Sequence, residues 1–176
     1  MPAWTAPRTW VAADTLTAAQ LNTDVRDNTL HLYEAFGTWT AFTPTLGGTG
    51  ATLGTAPNNG TLVCHYMRIN KTVHARYILL GGSGTNLSSD RLTLTLPVTA
   101  RDPGNYRVPV GVGHVFDSGV ASYHCIAIID HTTDTGNDRI FFAYGGTTLA
   151  SVNDSTPISG FAASDTLSAT ITYEAA

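Results

Sequence analysis

Gly60-Thr-Leu-Val-Cys-His-Tyr-Met-Arg-Ile69, followed by Asn70-Lys71 and then Thr72-Val-His-Ala-Arg-Tyr-Ile-Leu-Leu80, is the stretch that decides the fold. Both long runs are rich in β-branched and aromatic residues, which suit a pleated, half-buried surface. The two residues between them are led by asparagine, which tolerates positive φ, so the runs are expected to pair as a tight hairpin. A turn at Asn70 and Lys71 sets the register: Leu62 opposes Leu79, Cys64 opposes Tyr77 and Tyr66 opposes Ala75. Side chains alternate along a strand, so these residues share one face, and their apolar character makes it the core face. The other face carries Val63, His65, Met67, His74, Arg76 and Ile78, a mixed surface suited to a subunit contact or to partial exposure.

The same alternation recurs downstream. Arg91-Leu-Thr-Leu-Thr-Leu96 sets leucines on one face against threonines on the other and stops at Pro97. Val108, Val110 and Val112 alternate in a run interleaved with glycine. Tyr123, Cys125, Ala127 and Ile129 alternate next, and Ile140 to Tyr144 is expected to pair with them across the loop from Asp130 to Asp138. Leu167, Ala169, Ile171 and Tyr173 alternate with Ser168, Thr170 and Thr172 near the C-terminus. Short strands punctuated by Gly, Asn, Asp and Pro clusters predict a mainly β fold, an antiparallel β-sandwich or jelly roll over residues 38–176.

Composition narrows the function. The 176 residues carry 12% charged side chains and a net charge of −4. Lys71 is the only lysine and the arginines are scattered, so there is no basic stripe to release counterions from a phosphate backbone, and nucleic acid is not an expected partner. Threonine supplies about one residue in six, well above ordinary usage, so hydroxyls and turns take over the solubilising role of charge. No apolar run is long enough to span a bilayer, and the first residues lack the apolar segment of a secretory leader, so neither membrane insertion nor export by that route is expected. Cys64 and Cys125 fall inside strand-like runs and are expected to be buried free thiols rather than a disulfide framework.

Two zones precede the β region. Residues 1–16 contain Pro2, Pro7, Trp4 and Trp10 without a helical or strand period, which predicts an extended arm with aromatic anchors. Residues 17–37 read as a helix ending at Gly37: Thr17-Ala-Ala-Gln20 fits a capping box, and Leu16 and Leu21 occupy the positions of a hydrophobic staple. Leu21, Val25, Leu32 and Phe36 fall on one narrow stripe with Asn28 beside them, while Thr23, Asp24 and Asp27 face away. A short helix of this kind is marginal alone, so the stripe must pack either on the chain's own β region or on copies of itself. In the second case Asn28 would set the register, and valine at one seam position with leucine at the other would by itself favour two strands.

No catalytic constellation with adequate spacing occurs: there is no nucleophile elbow, Walker loop, HExxH or CxxC, and the chain is expected not to be an enzyme. Gly81-Gly-Ser-Gly84 has no following helix to aim at phosphate. His65 and His74 could lie diagonally across the hairpin, but no third metal ligand accompanies them. Asp130, Asp134, Asn137 and Asp138 make an oxygen-rich loop whose spacing is not that of an EF-hand and which also reads as a turn. Neither a metal nor a cofactor is expected.

The stretch from Trp4 to Asn28, with its Ala-Gln-Leu-Asn22 and Val-Arg-Asp-Asn28 elements, resembles the N-terminal segment of tail and fibre-like virion proteins of actinobacterial bacteriophages and prophages. Asn59 to Val73, with Leu94-Thr-Leu-Pro-Val-Thr-Ala100, is similar to the β modules of phage tail fibres, with Asn70 standing where related modules carry glycine. The His-X-His motif by which some fibres hold iron is absent. The resemblance implies a structural virion protein of tail-fibre or minor tail type, made in the host cytoplasm and carried on the extracellular particle. It implies a homotrimer that displays its β domain for host attachment, with host-surface glycan as a candidate receptor. Trp4 and Trp10 would anchor the arm in other virion proteins, and Leu21, Val25, Asn28, Leu32 and Phe36 would form the oligomer interface. Alternatives are a capsid decoration protein or head fibre, and a free lectin using exposed aromatics such as Tyr106 or Tyr123.

Overall fold

A computed structural model describes residues 5–6, 8–35, 38–48, 50–53, 59–104, 106–131, 137–145 and 148–176. The chain divides into two compact units, Met1–Trp39 and Thr40–Ala176. Among the described residues the second unit contains β1 (Thr40–Phe42), β2 (Leu46–Gly47), β3 (Thr61–Ile69), β4 (Thr72–Leu80), β5 (Thr93–Thr95), β6 (Arg107–Asp117), β7 (Ala121–Asp130), β8 (Arg139–Tyr144), β9 (Ala150–Ser151) and β10 (Thr166–Glu174).

The hairpin register is the expected one. Leu62 pairs with Leu79, Cys64 with Tyr77 and Tyr66 with Ala75, and Asn70 holds a φ of 54° at the turn. The strands join in the order β1-β3-β4-β10-β6-β7-β8-β5-β2, with β9 on β8, and every pairing is antiparallel. The C-terminal strand β10 is the keystone, because it inserts between the hairpin and β6 and so ties early and late parts of the chain into one ladder. The architecture is therefore a single curled antiparallel sheet. Its inner face gathers Tyr77, Leu79, Leu94, Val115, Phe142 and Leu167 into one dry core.

One expectation fails in an instructive way. Val108, Val110 and Val112 do not share a face, because a bulge between Pro109 and Gly111 inserts an unpaired residue and reverses the alternation. Val110 packs against the core, whereas Val112 is 70% exposed on the outer face. After the bulge Gly113 takes an inward position, where an added Cβ would lie 2.7 Å from the Ser168 carbonyl oxygen and 2.8 Å from the Cys125 sulfur. At Gly111 an added Cβ would collide with the Thr170 carbonyl oxygen. These two glycines let β6 lie close against β10 while the strand bends.

Both cysteines are buried and free. Loss of solvation on burial pushes each thiol up to about 11, with a backbone hydrogen bond at Ile78 partly offsetting this for Cys64. Burial pushes the phenols of Tyr77 and Tyr173 upward as well. A group whose folded pKa is raised contributes stability below its unfolded value that is lost as pH climbs through the folded value. The melting temperature should therefore hold steady up to about pH 9 and fall between about pH 9 and 11. At pH 8 a thiol-reactive disulfide reagent should label the native chain at least about tenfold more slowly than the denatured chain. Equal labelling rates would show that the thiols are not sequestered.

Candidate functional site

The N-terminal unit is built around a helix whose start is well specified. Thr17 accepts from the Gln20 backbone N–H at 3.3 Å, while the Gln20 side chain accepts from the Thr17 N–H at 2.8 Å, completing the expected capping box. The helix is not uniform. It runs as α1 (Ala18–Leu21), a wide π-type segment over Asn22–Asp27, and α2 (Asn28–Ala35). A π turn accommodates one more residue than an α turn, so side chains on either side of it no longer follow one 3.6-residue period.

Burial separates Asn28 from the apolar residues of the helix. Leu21, Val25 and Leu32 are 47%, 54% and 44% exposed, and Leu30 joins them at the surface. Asn28 is buried. Its amide oxygen accepts from the Thr5 N–H at 3.0 Å, and its amide nitrogen donates to the carbonyls of Thr5 at 3.0 Å and Asp24 at 3.2 Å. The side-chain amide thus pairs with both backbone groups of Thr5 as a neighbouring strand would. Within the single chain, Asn28 serves as a clamp on the arm.

The arm folds back along the helix in the opposite direction. Thr5 lies at Asn28, Arg8 pairs with Asp24, and a turn closed by the Asp14 N–H to the Val11 carbonyl at 3.1 Å leads into Thr17. Asp24, read from the sequence as facing away from the stripe, faces the arm. The Arg8 guanidinium also lies 5.2 Å from the Trp10 ring centre. Exposed ion pairs contribute about 0–1 kcal/mol, whereas each of three satisfied amide hydrogen bonds contributes about 0.5–1.5. Asn28 therefore dominates the clamp. Trp10 is half exposed; Trp4 and Phe36 lie outside the described residues.

In the β unit, the outer face of the sheet forms an open groove of about 780 Å³. Two cross-strand rows line it. One runs Arg76, Thr170, Val112 and Ile126 across β4, β10, β6 and β7; the other runs Ile78, Ser168, His114 and His124. Leu149 closes one side. His114 sits directly opposite His124, with ring centres 5.8 Å apart, a pairing that sequence reasoning missed because the phase of β6 depends on the bulge. The diagonal pair His65 and His74 lies on the same face, and the His74 Nδ1 is 2.9 Å from the Thr172 hydroxyl.

At the start of the oxygen-rich loop, Asp130 is paired with protein cations. Asp130 is buried and accepts from Arg91 at 2.8 Å and from Arg107 at 3.2 Å, and Arg91 also covers the Phe141 ring. Asn137 bonds His131 at 2.5 Å, and Asp134 lies outside the described residues. Among the described residues no group of three or more His, Cys, Asp or Glu is arranged to hold a metal ion, and no helix is long and apolar enough to cross a membrane. Of the aromatics considered for sugar stacking, Tyr106 is exposed while Tyr123 packs edge-on against Tyr144.

Replacing Asn28 with alanine should cost the arm about 1–3 kcal/mol of local stability. Limited proteolysis should then cut the arm faster at residues 5–10, with the melting of the β unit unchanged. Asp24→Asn should have a smaller effect, under about 1 kcal/mol. Unaltered cleavage in Asn28→Ala would mean that the clamp does not hold the arm. No protein-family model, curated protein or solved structure matches this chain.

Proposed function

We propose that this chain is a structural protein of a bacteriophage virion, of tail-fibre or minor tail type, and that it acts by assembly and binding rather than by catalysis. In this reading the N-terminal unit joins copies into a homotrimer, the arm docks into another virion protein through Trp4 and Trp10, and the curled β unit, of the sandwich or jelly-roll class, is displayed for attachment to the host surface. Several weak sites on one particle would add through effective concentration.

The observation that supports it is the apolar stripe. Leu21, Val25 and Leu32 stand at the surface of a unit whose polar face is already taken by its own arm. Burying three half-exposed aliphatic side chains contributes roughly 2–4 kcal/mol per chain. That is of the same order as the translational and rotational cost of association. The sequence resemblance of residues 4–28 to virion proteins supports the location, and the lack of a catalytic motif in the sequence supports a non-enzymatic role.

Removing residues 1–16 tests the anchoring role. The truncated chain should remain soluble and folded but should fail to enter particles when it replaces the intact protein during infection, as scored by immunoblot of purified virions. Incorporation at the normal level would overturn the anchoring role. Val25→Glu, an exposed substitution that leaves the arm clamp intact, should lower the oligomeric state seen by mass photometry; an unchanged state would remove the stripe from the interface.

A further inference from the structure

We infer that the N-terminal arms are exchanged between copies: the arm of one chain lies in the clamp formed by Asp24 and Asn28 on a neighbouring chain's helix, with the turn Val11–Asp14 as the hinge. The inference rests on the proposed role of Leu21, Val25 and Leu32 in joining copies, and it adds which segment crosses between them.

The first observation is the hinge. The turn is closed by the Asp14 N–H donating to the Val11 carbonyl at 3.1 Å and by the Val11 N–H donating to the Asp14 carboxylate at 3.0 Å. Ala13, its third residue, holds a φ of 76°. Glycine is the ordinary occupant of that left-handed conformation in a turn, because a Cβ crowds the neighbouring backbone there. Folding the arm back on its own helix thus requires a conformation that alanine resists. Passing it to a neighbour lets residues 11–14 straighten, and a short strained hinge of this kind favours exchange of the segment it carries.

The second is what holds the arm. Its contacts with the helix are polar: the Thr5 backbone on the Asn28 amide at 3.0 Å, and the Arg8 guanidinium on the Asp24 carboxylate. Trp10, Val11 and Leu16 are 45%, 65% and 54% exposed, so these large residues of the arm form no apolar core that opening the turn would break. An identical arm from a second copy supplies the same backbone pair and the same opposite charge. Every copy carries the segment that fits the clamp, which makes a second copy its occupant.

The third is reach. Residues 9–16 join Arg8 to the Thr17 cap, and when extended they span up to about 26–29 Å. Packed helices lie about 8–10 Å apart, so a neighbour's clamp is well within range. Once the stripes hold copies side by side, a neighbour's arm is present at an effective concentration comparable with that of a chain's own. Proximity then no longer favours the closed form, and the strain at Ala13 decides against it.

The test is cross-linking of the full-length double variant Arg8→Cys/Asp24→Cys with a short bismaleimide, after mass photometry has established that the intact chain is oligomeric. Asn28 still holds the arm in this variant, and Cys64 and Cys125 are buried. Exchange predicts that most cross-linked material runs on a denaturing gel as covalent species of two or more chains, and that neither single variant gives that ladder. Adding Ala13→Gly, which admits the closed turn without strain, should raise the single-chain product at least about fivefold. An oligomer whose cross-links stay within single chains, or one left uncross-linked although both thiols are modified, would overturn the exchange while leaving the stripe in place. A ladder from Arg8→Cys alone would set arm against arm and overturn it too, as would a single-chain product unmoved by Ala13→Gly. A single-chain mass for the intact protein would instead overturn the stripe reading, and the exchange with it.

Discussion

Large apolar side chains have to leave water, and the two units of this chain meet that constraint by different means. In the β unit the curled sheet supplies its own partner: strands distant in sequence are brought together by β10, and their inward side chains form a dry core. The N-terminal unit, among its described residues, has an arm and a broken helix. There its buried polar contact is the Asn28 amide against the Thr5 backbone, and Leu16, Leu21, Leu30, Leu32, Val11 and Val25 remain at the surface. These exposed apolar side chains are the physical basis for the proposal that the unit is an assembly element.

Much of the β unit is legible in the sequence because its rules are local. The Asn70-Lys71 turn sets the β3–β4 register, and alternation correctly marks the inner faces of β4, β7 and β10. The misreading of β6 has an equally local cause with a non-local origin. The bulge leaves Val110 without a partner on β7, beside the point where pairing with β10 begins at Gly111, and no alternation pattern in Val108 to Val112 announces it. The groove was illegible for the same reason, since it brings together outward residues of four strands whose order in the sheet is not their order in the chain.

The helix shows the same division. Its start was readable, because the capping box is written within four residues. The π segment and the arm clamp were not. Thr5 contributes backbone groups, which carry no signature in sequence, and the pairing of Arg8 with Asp24 joins residues sixteen positions apart through a turn that no glycine or proline marks. Heptad spacing set Asn28 beside the stripe and carried no sign that its amide also holds the arm.

Sedimentation equilibrium of the intact chain at several concentrations tests the central claim, that the exposed stripe of the N-terminal unit joins identical copies. The account predicts a single species of three chain masses at micromolar concentration, dissociating only on dilution. A species of one chain mass across the whole range, with Leu21, Val25 and Leu32 still reactive to solvent probes, would contradict it.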